Sequence, residues 1–138
     1  MKNKKISIDE GKYVVQVKTM KKTEAEPSAM APYLSNNSIV TKVSGQYFLT
    51  LMILEEQIIT GFQLKNKADE YVNSMENHRD EESSTRYEIF QLEDFRTIHD
   101  ARVQYKIDHD GKTFEGDEEL RLFFDSDSVQ NVDEIDFK

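Results

Sequence analysis

The sequence predicts an all-β protein, a sandwich of about eight short strands, and three observations carry that expectation. Runs of apolar and β-branched residues recur with a period of two. Polar turns, several containing Gly, separate them. No stretch shows the 3.6-residue periodicity of a long amphipathic helix.

The first run follows Gly11, where Tyr13, Val15 and Val17 alternate with Val14, Gln16 and Lys18. Residues 28–34, Ser-Ala-Met-Ala-Pro-Tyr-Leu, then read as a short, small and apolar turn of helix inserted between strands. An insert of this kind either forms the lip of a ligand slot or caps one end of the core, and the residues alone leave both readings open. Ile39, Thr41 and Val43 alternate around Val40 and Lys42, a turn falls at residues 44–46, and residues 47–53 complete a hairpin. Residues 57–65 carry Ile58, Ile59, Phe62 and Leu64, with Gly61 marking a bulge or a close approach. Tyr71 and Val72 mark a weaker strand, and residues 77–84 read as a polar loop without core residues. Tyr87 and Ile89 lead into residues 92–95, which read as a crossing loop with a helical turn. The runs 101–107 and 119–124 alternate cleanly, and Asp110-Gly111 between them is a hairpin signal. The acidic stretch 126–138 reads as a disordered tail following a single domain at 6–125.

At 138 residues the chain fits one domain that buries about two thirds of its unfolded surface, so a core forms without staples. The absence of Cys excludes disulfides, thiolate metal sites and Cys nucleophiles. A net charge of −9 argues against nucleic acid as a partner, since a polyanion is bound by clustered Lys and Arg. The basic cluster Lys18, Lys21 and Lys22 reads as a solvated strand end. No run approaches the roughly 18 apolar residues of a membrane helix. Residues 1–5 are basic like the start of a signal peptide, but residues 6–10 supply no apolar core for one. As written, the chain is expected in the cytoplasm or as a domain of a longer protein.

No catalytic constellation accompanies this scaffold, and the expectation is a protein that is not an enzyme. His78, His99 and His109 fall in separate loops, without a metal-binding pair, nucleophile elbow or Gly-rich phosphate loop. The acidic groups Asp80/Glu81/Glu82 and Glu115/Asp117 lack the spacing of a calcium-wrapping loop.

Six segments in order carry a resemblance: residues 11–15, 28–34, 45–51, 85–89, the 92–95 turn before Ala101-Arg102-Val103, and Leu120-Arg121-Leu122-Phe123-Phe124-Asp125. Together, over roughly residues 8–125, they resemble a NEAT (near-iron-transporter) domain. The resemblance implies an immunoglobulin-like sandwich with a short 3₁₀ helix after the first strand, and a non-enzymatic role in haem and iron acquisition at the surface of Gram-positive bacteria. It implies haem as a cofactor-like ligand and haem or a haemoprotein as partner. Ser28 would bond a propionate or simply cap the short helix, with Met30 and Tyr33 supplying apolar contact. The family's Tyr-x-x-x-Tyr motif, whose first Tyr ligates iron and whose second supports it, falls here on Phe114 and Glu118. Phe has no lone pair for ferric iron, whereas a phenolate is a hard anionic donor suited to it. Glu115, Asp117, Glu118 and Glu119 put negative charge about the same hairpin, against a ligand bearing propionates. Tyr105 and His109 on that hairpin are the alternative axial ligands. The resemblance thus implies weak, non-standard or absent haem binding. The competing reading is a protein-interaction module that binds no haem.

Overall fold

The alternating runs become strands in the computed structural model, which describes residues 3–134. In chain order these are β1 (Gly11–Lys21), β2 (Asn37–Val43), β3 (Gln46–Ile53), β4 (Ile59–Lys65), β5 (Tyr71–Asn73), β6 (Glu76–Asp80), β7 (Thr85–Leu92), β8 (Ile98–His109), β9 (Lys112–Phe124) and β10 (Gln130–Asn131). Three 3₁₀ turns accompany them: η1 (Ala31–Tyr33), η2 (Ser126–Ser128) and η3 (Val132–Glu134). Among the described residues no helix is long and apolar enough to cross a membrane.

All pairings are antiparallel, and β1 belongs to two sheets. Its first half pairs with β2 and β10, in the order β10-β1-β2-β3-β7-β6. From Val17 to Lys21 it pairs instead with β9, in the order β1-β9-β8-β4-β5. The sheets face one another across a core that includes Val15, Val17, Val40, Leu49, Leu51, Phe62, Phe90, Val103, Leu120 and Leu122. Each such fully buried side chain contributes about 1.5–3 kcal/mol of transfer free energy.

Both predicted hairpin turns form. Ser44 and Gly45 have φ of 52° and 79°, and Asp110 and Gly111 have φ of 51° and 74°. Two successive positive φ values give the primed turn whose twist matches the flanking strands. The bulge expected at Gly61 is present as a shift in the β4–β8 register between Ile59 and Gly61.

Two strands beyond the expected eight are found in segments read as loop and tail. Every residue of β6 is exposed, so its pairing with β7 rests on backbone hydrogen bonds and leaves no apolar pattern. Where a tail was expected, residues 126–134 form η2, β10 and η3: Asp127 N donates to Asp125 Oδ1, Gln16 N donates to Ser128 Oγ, and Val129 packs on the core. Residues 135–138 of the expected tail lie outside the described residues. Residues 92–95 form no helical turn; Leu92 ends β7 and two bends follow. The histidines are not in loops either, since His78 lies in β6, and His99 and His109 lie in β8.

The sandwich is plugged at both ends. Met30 and Leu34, flanking η1, close one end, and Leu54 N donates to Tyr33 O to fix η1 against the end of β3. Phe95 closes the other, stacked on His99 and edge-on to Phe124. His99 is buried, and its Nε2 accepts from Arg96 N at 3.0 Å, so its hydrogen is on Nδ1. Burial lowers its pKa from 6.5 to about 4. A depressed imidazole stabilises the fold fully above its unfolded value, and this contribution is lost as pH falls from 6.5 through 4. Over that window the loss is about 3 kcal/mol. Glu88, whose carboxyl is raised by burial, acts in the opposite sense. Urea unfolding at pH 7 and pH 4.5 should show a steeper decline for the wild type than for His99→Gln, which keeps an acceptor for Arg96 N. Equal declines would mean that His99 is not the group responsible.

Candidate functional site

The β8–β9 hairpin extends past the other strands at the η1 end of the sandwich. β4 begins its pairing with β8 at Ile59–Tyr105, and Lys106 N donates to Ile58 O. Beyond this, among the described residues, 107–109 of β8 pair only with β9. The β8–β9 ladder is regular from Ile98–Phe123 to His109–Lys112, so strand alternation holds along its whole length. His99, Ala101 and Val103 face the core from β8, and Leu120, Leu122 and Phe124 face it from β9. The same face continues outward as Tyr105 and Ile107 on β8, and as Glu118, Gly116 and Phe114 on β9.

Three of the sequence-predicted residues are therefore brought onto one surface. Tyr105 is partly buried against the core and stands opposite Gly116. A Cβ on Gly116 would lie 2.1 Å from Tyr105 Cζ and 2.2 Å from its Oη, so the phenol ring lies across the glycine. Phe114 is 52% exposed, an unusual state for a large aromatic on a face that elsewhere builds the core. Glu118 is half-buried opposite Val103.

The carboxylates expected to crowd this face separate by alternation. Asp117 points to the outer face, where Arg102 Nε and Nη2 donate to its two oxygens at 2.7 and 2.8 Å. The Arg102 hydrogen bond holds the Asp117 carboxyl below the usual carboxylate range. Glu119 accepts from Tyr71 Oη at 2.7 Å, which lowers its pKa likewise. Of the four acids, only Glu118 shares the face of Tyr105.

Across from the hairpin, η1 borders the same end. Ser28 is buried; its Oγ accepts from Met30 N and its carbonyl from Ala31 N, both at 3.0 Å. Met30 rather than Ser28 stands at the N-cap of η1, with no side-chain cap, so the Ser28 bonds shape the turn leading into it instead of capping it. Met30 is 5% exposed and belongs to the core, whereas Tyr33 is half-buried and packs at its margin. His109 is elsewhere. Its side chain is 74% exposed at the hairpin tip, with Nε2 at 3.2 Å from Asp110 Oδ2, and four residues of strand put it about 13 Å from Tyr105.

Behind the site lies a charged cluster that the sequence reading did not single out. Arg86 and Glu88 occupy inward positions of β7, each 6% exposed. Arg86 Nη1 donates to Glu56 Oε1 at 3.1 Å, and Nη2 donates to the carbonyl of Ile59 at 2.9 Å. Arg86 Nε and Glu88 Oε1 form an ion pair at 3.3 Å, while Glu88 Oε2 has no hydrogen-bond partner among the described residues. Arg86 thus ties β7 in one sheet to the start of β4 in the other, next to Tyr105. The signal was present in the sequence: Arg86 and Glu88 share the parity of Phe90 and Leu92.

The family model described as NEAT, Iron Transport-associated domain, matches residues 7–128. The chain belongs to the NEAT family. Two similar structures are of the NEAT5 domain of IsdX2, a B. anthracis hemophore, in complex with haem, and of a point mutant of that domain, also in complex with haem. Each is 22% identical to this chain, covers 86% of it and 98% of its own length, and superposes with a TM-score of 0.75. At that identity the likeness establishes the immunoglobulin-like NEAT fold. No curated protein matches the sequence. NEAT domains serve haem and iron acquisition, and the sandwich described above is the NEAT scaffold.

Proposed function

We propose that this NEAT domain is a non-enzymatic module that binds haem between η1 and the overhanging face of the β8–β9 hairpin. The observation that supports this reading best is the continuation of a core-type face into solvent, with Phe114 exposed and one phenol, Tyr105, on the same surface. An apolar wall with a few convergent polar groups is what a porphyrin requires, and a phenolate is a hard donor for ferric iron. The donor set therefore fits the ligand. Separation of Asp117 and Glu119 onto the outer face removes most of the like-charge penalty that the sequence implied.

The second reading, contact with a haemoprotein or another protein without direct haem binding, is favoured by one observation. Glu118 is half-buried on the site face, where its charge opposes propionates and an anionic axial donor. Absorbance titration of the purified chain with hemin separates the two. A saturable one-to-one Soret band is expected. A titration indistinguishable from hemin in buffer would overturn the haem reading and leave protein contact as the function.

A further inference from the structure

We propose that the axial ligand to haem iron in this domain is Tyr105, a phenol supplied by β8 across the ladder from the strand that carries Phe114 and Glu118. The proposal rests on the haem reading of the site given above.

Its first support is register. Tyr105 is paired with Gly116, and Gly116 lies midway between Phe114 and Glu118, about 7 Å along the strand from each. The second is where the ring goes. The position that a Cβ on Gly116 would take is 2.2 Å from Tyr105 Oη and 2.6 Å from Cε1, so the hydroxyl end of the ring has crossed to stand over β9. A strand glycine weakens a sheet and is found where something approaches the backbone closely; here the approaching group is the phenol. With any larger residue at position 116 the ring would be displaced.

Competing donors on the hairpin are less well placed. Phe114 has no lone pair. His109 lies about 13 Å away at an exposed tip, engaged with Asp110. Glu118 is the remaining hard donor on the face, two residues along β9 from Gly116. If Tyr105 binds as phenolate, the Glu118 carboxylate is a neighbouring anion and weakens the bond rather than supporting it. Replacing Glu118 by Gln then tightens binding, whereas it abolishes binding if Glu118 is itself the ligand.

The test compares wild type, Tyr105→Phe and Glu118→Gln by hemin titration and by resonance Raman excitation of the phenolate-to-iron charge-transfer band. Tyr105→Phe keeps the ring over Gly116, so its thermal melt should match the wild type. Expected are tyrosinate modes in wild type and Glu118→Gln, their loss in Tyr105→Phe, and affinity in Tyr105→Phe lower by about tenfold or more. Tyrosinate modes that survive Tyr105→Phe would assign another tyrosine, and wild-type binding without such modes, lost in Glu118→Gln, would assign the carboxylate; either overturns the proposal while the haem reading stands. Absence of any saturable binding by wild type overturns both.

Discussion

Replacing Arg86 by Met is expected to destabilise the domain by about 3–5 kcal/mol, the usual cost of leaving a buried charge without its partner. Among the described residues the buried Glu88 would be left without a cation, and Glu56 would keep Arg79, whose Nε is 2.9 Å from Glu56 Oε1. Against a total stability of about 5–15 kcal/mol for a domain of this kind, such a loss is severe. The pair itself is a weak source of stability, because desolvating two charges offsets most of their attraction. The double variant Arg86→Met/Glu88→Leu should therefore recover most of the loss, since it removes both charges and leaves the Glu56–Arg79 pair. Urea unfolding of the three proteins measures this directly. A single-variant loss below about 1 kcal/mol would mean that the cluster opens to solvent instead of being sealed in the sandwich. The substitution also frees the Ile59 carbonyl beside Tyr105, so on the haem reading proposed above haem affinity should fall even in conditions where the variant is folded.

Phe95→Ala carries an expected loss of similar size, about 3–5 kcal/mol. Phe95 is 1% exposed and makes ring contacts with Phe124 at 5.0 Å, His99 at 6.0 Å and Tyr47 at 6.5 Å. Its carbonyl also accepts from Ile6 N at 2.8 Å, which tethers the backbone around it and resists collapse into the space left behind. The cost has two parts, lost transfer free energy and an unfilled cavity. Because Phe95 plugs the end remote from η1, the haem binding proposed above should be unchanged in the folded variant. A loss under about 1.5 kcal/mol would show that Tyr47 and His99 close over the gap.

Much of the scaffold was legible because alternation, Gly-containing turns and strand length agreed. The Asp110-Gly111 hairpin, the Gly61 bulge and the 3₁₀ turn at Ala31–Tyr33 are all present. The facing of individual strands was harder. In β2 the inward residues are Ser38 and Val40, not the row of Ile39, Thr41 and Val43, of which Val43 is 52% exposed. In β7, Arg86 and Glu88 point inward while Tyr87 is 38% exposed. Neither facing is legible in the sequence for one reason: the outer face of this sheet is itself apolar, with Ile39, Phe48 and Ile89 half-buried there, so polarity does not distinguish inside from outside. β6 is not legible in the sequence because its exposed side chains carry no pattern, and the elements in residues 126–134 because they are held by Asp125 and Ser128 hydrogen bonds rather than apolar spacing. Around the site, the residue types on the last hairpin were visible from the sequence, but their division between two faces required the register. That division sends Asp117 and Glu119 one way and Tyr105, Phe114 and Glu118 the other.

The overhang of the β8–β9 hairpin has a dynamic consequence. From position 107 outward, β8 has a single strand neighbour among the described residues, and a two-stranded ribbon is marginal in water on its own. The wall of the site facing η1 is therefore free to breathe by local opening, at a free-energy cost far below that of unfolding the sandwich. Tyr105 marks the boundary, since its strand neighbours include both β4 and β9. Bending of the ribbon about that residue would admit the flat ligand proposed for the site, with the sealed core left undisturbed.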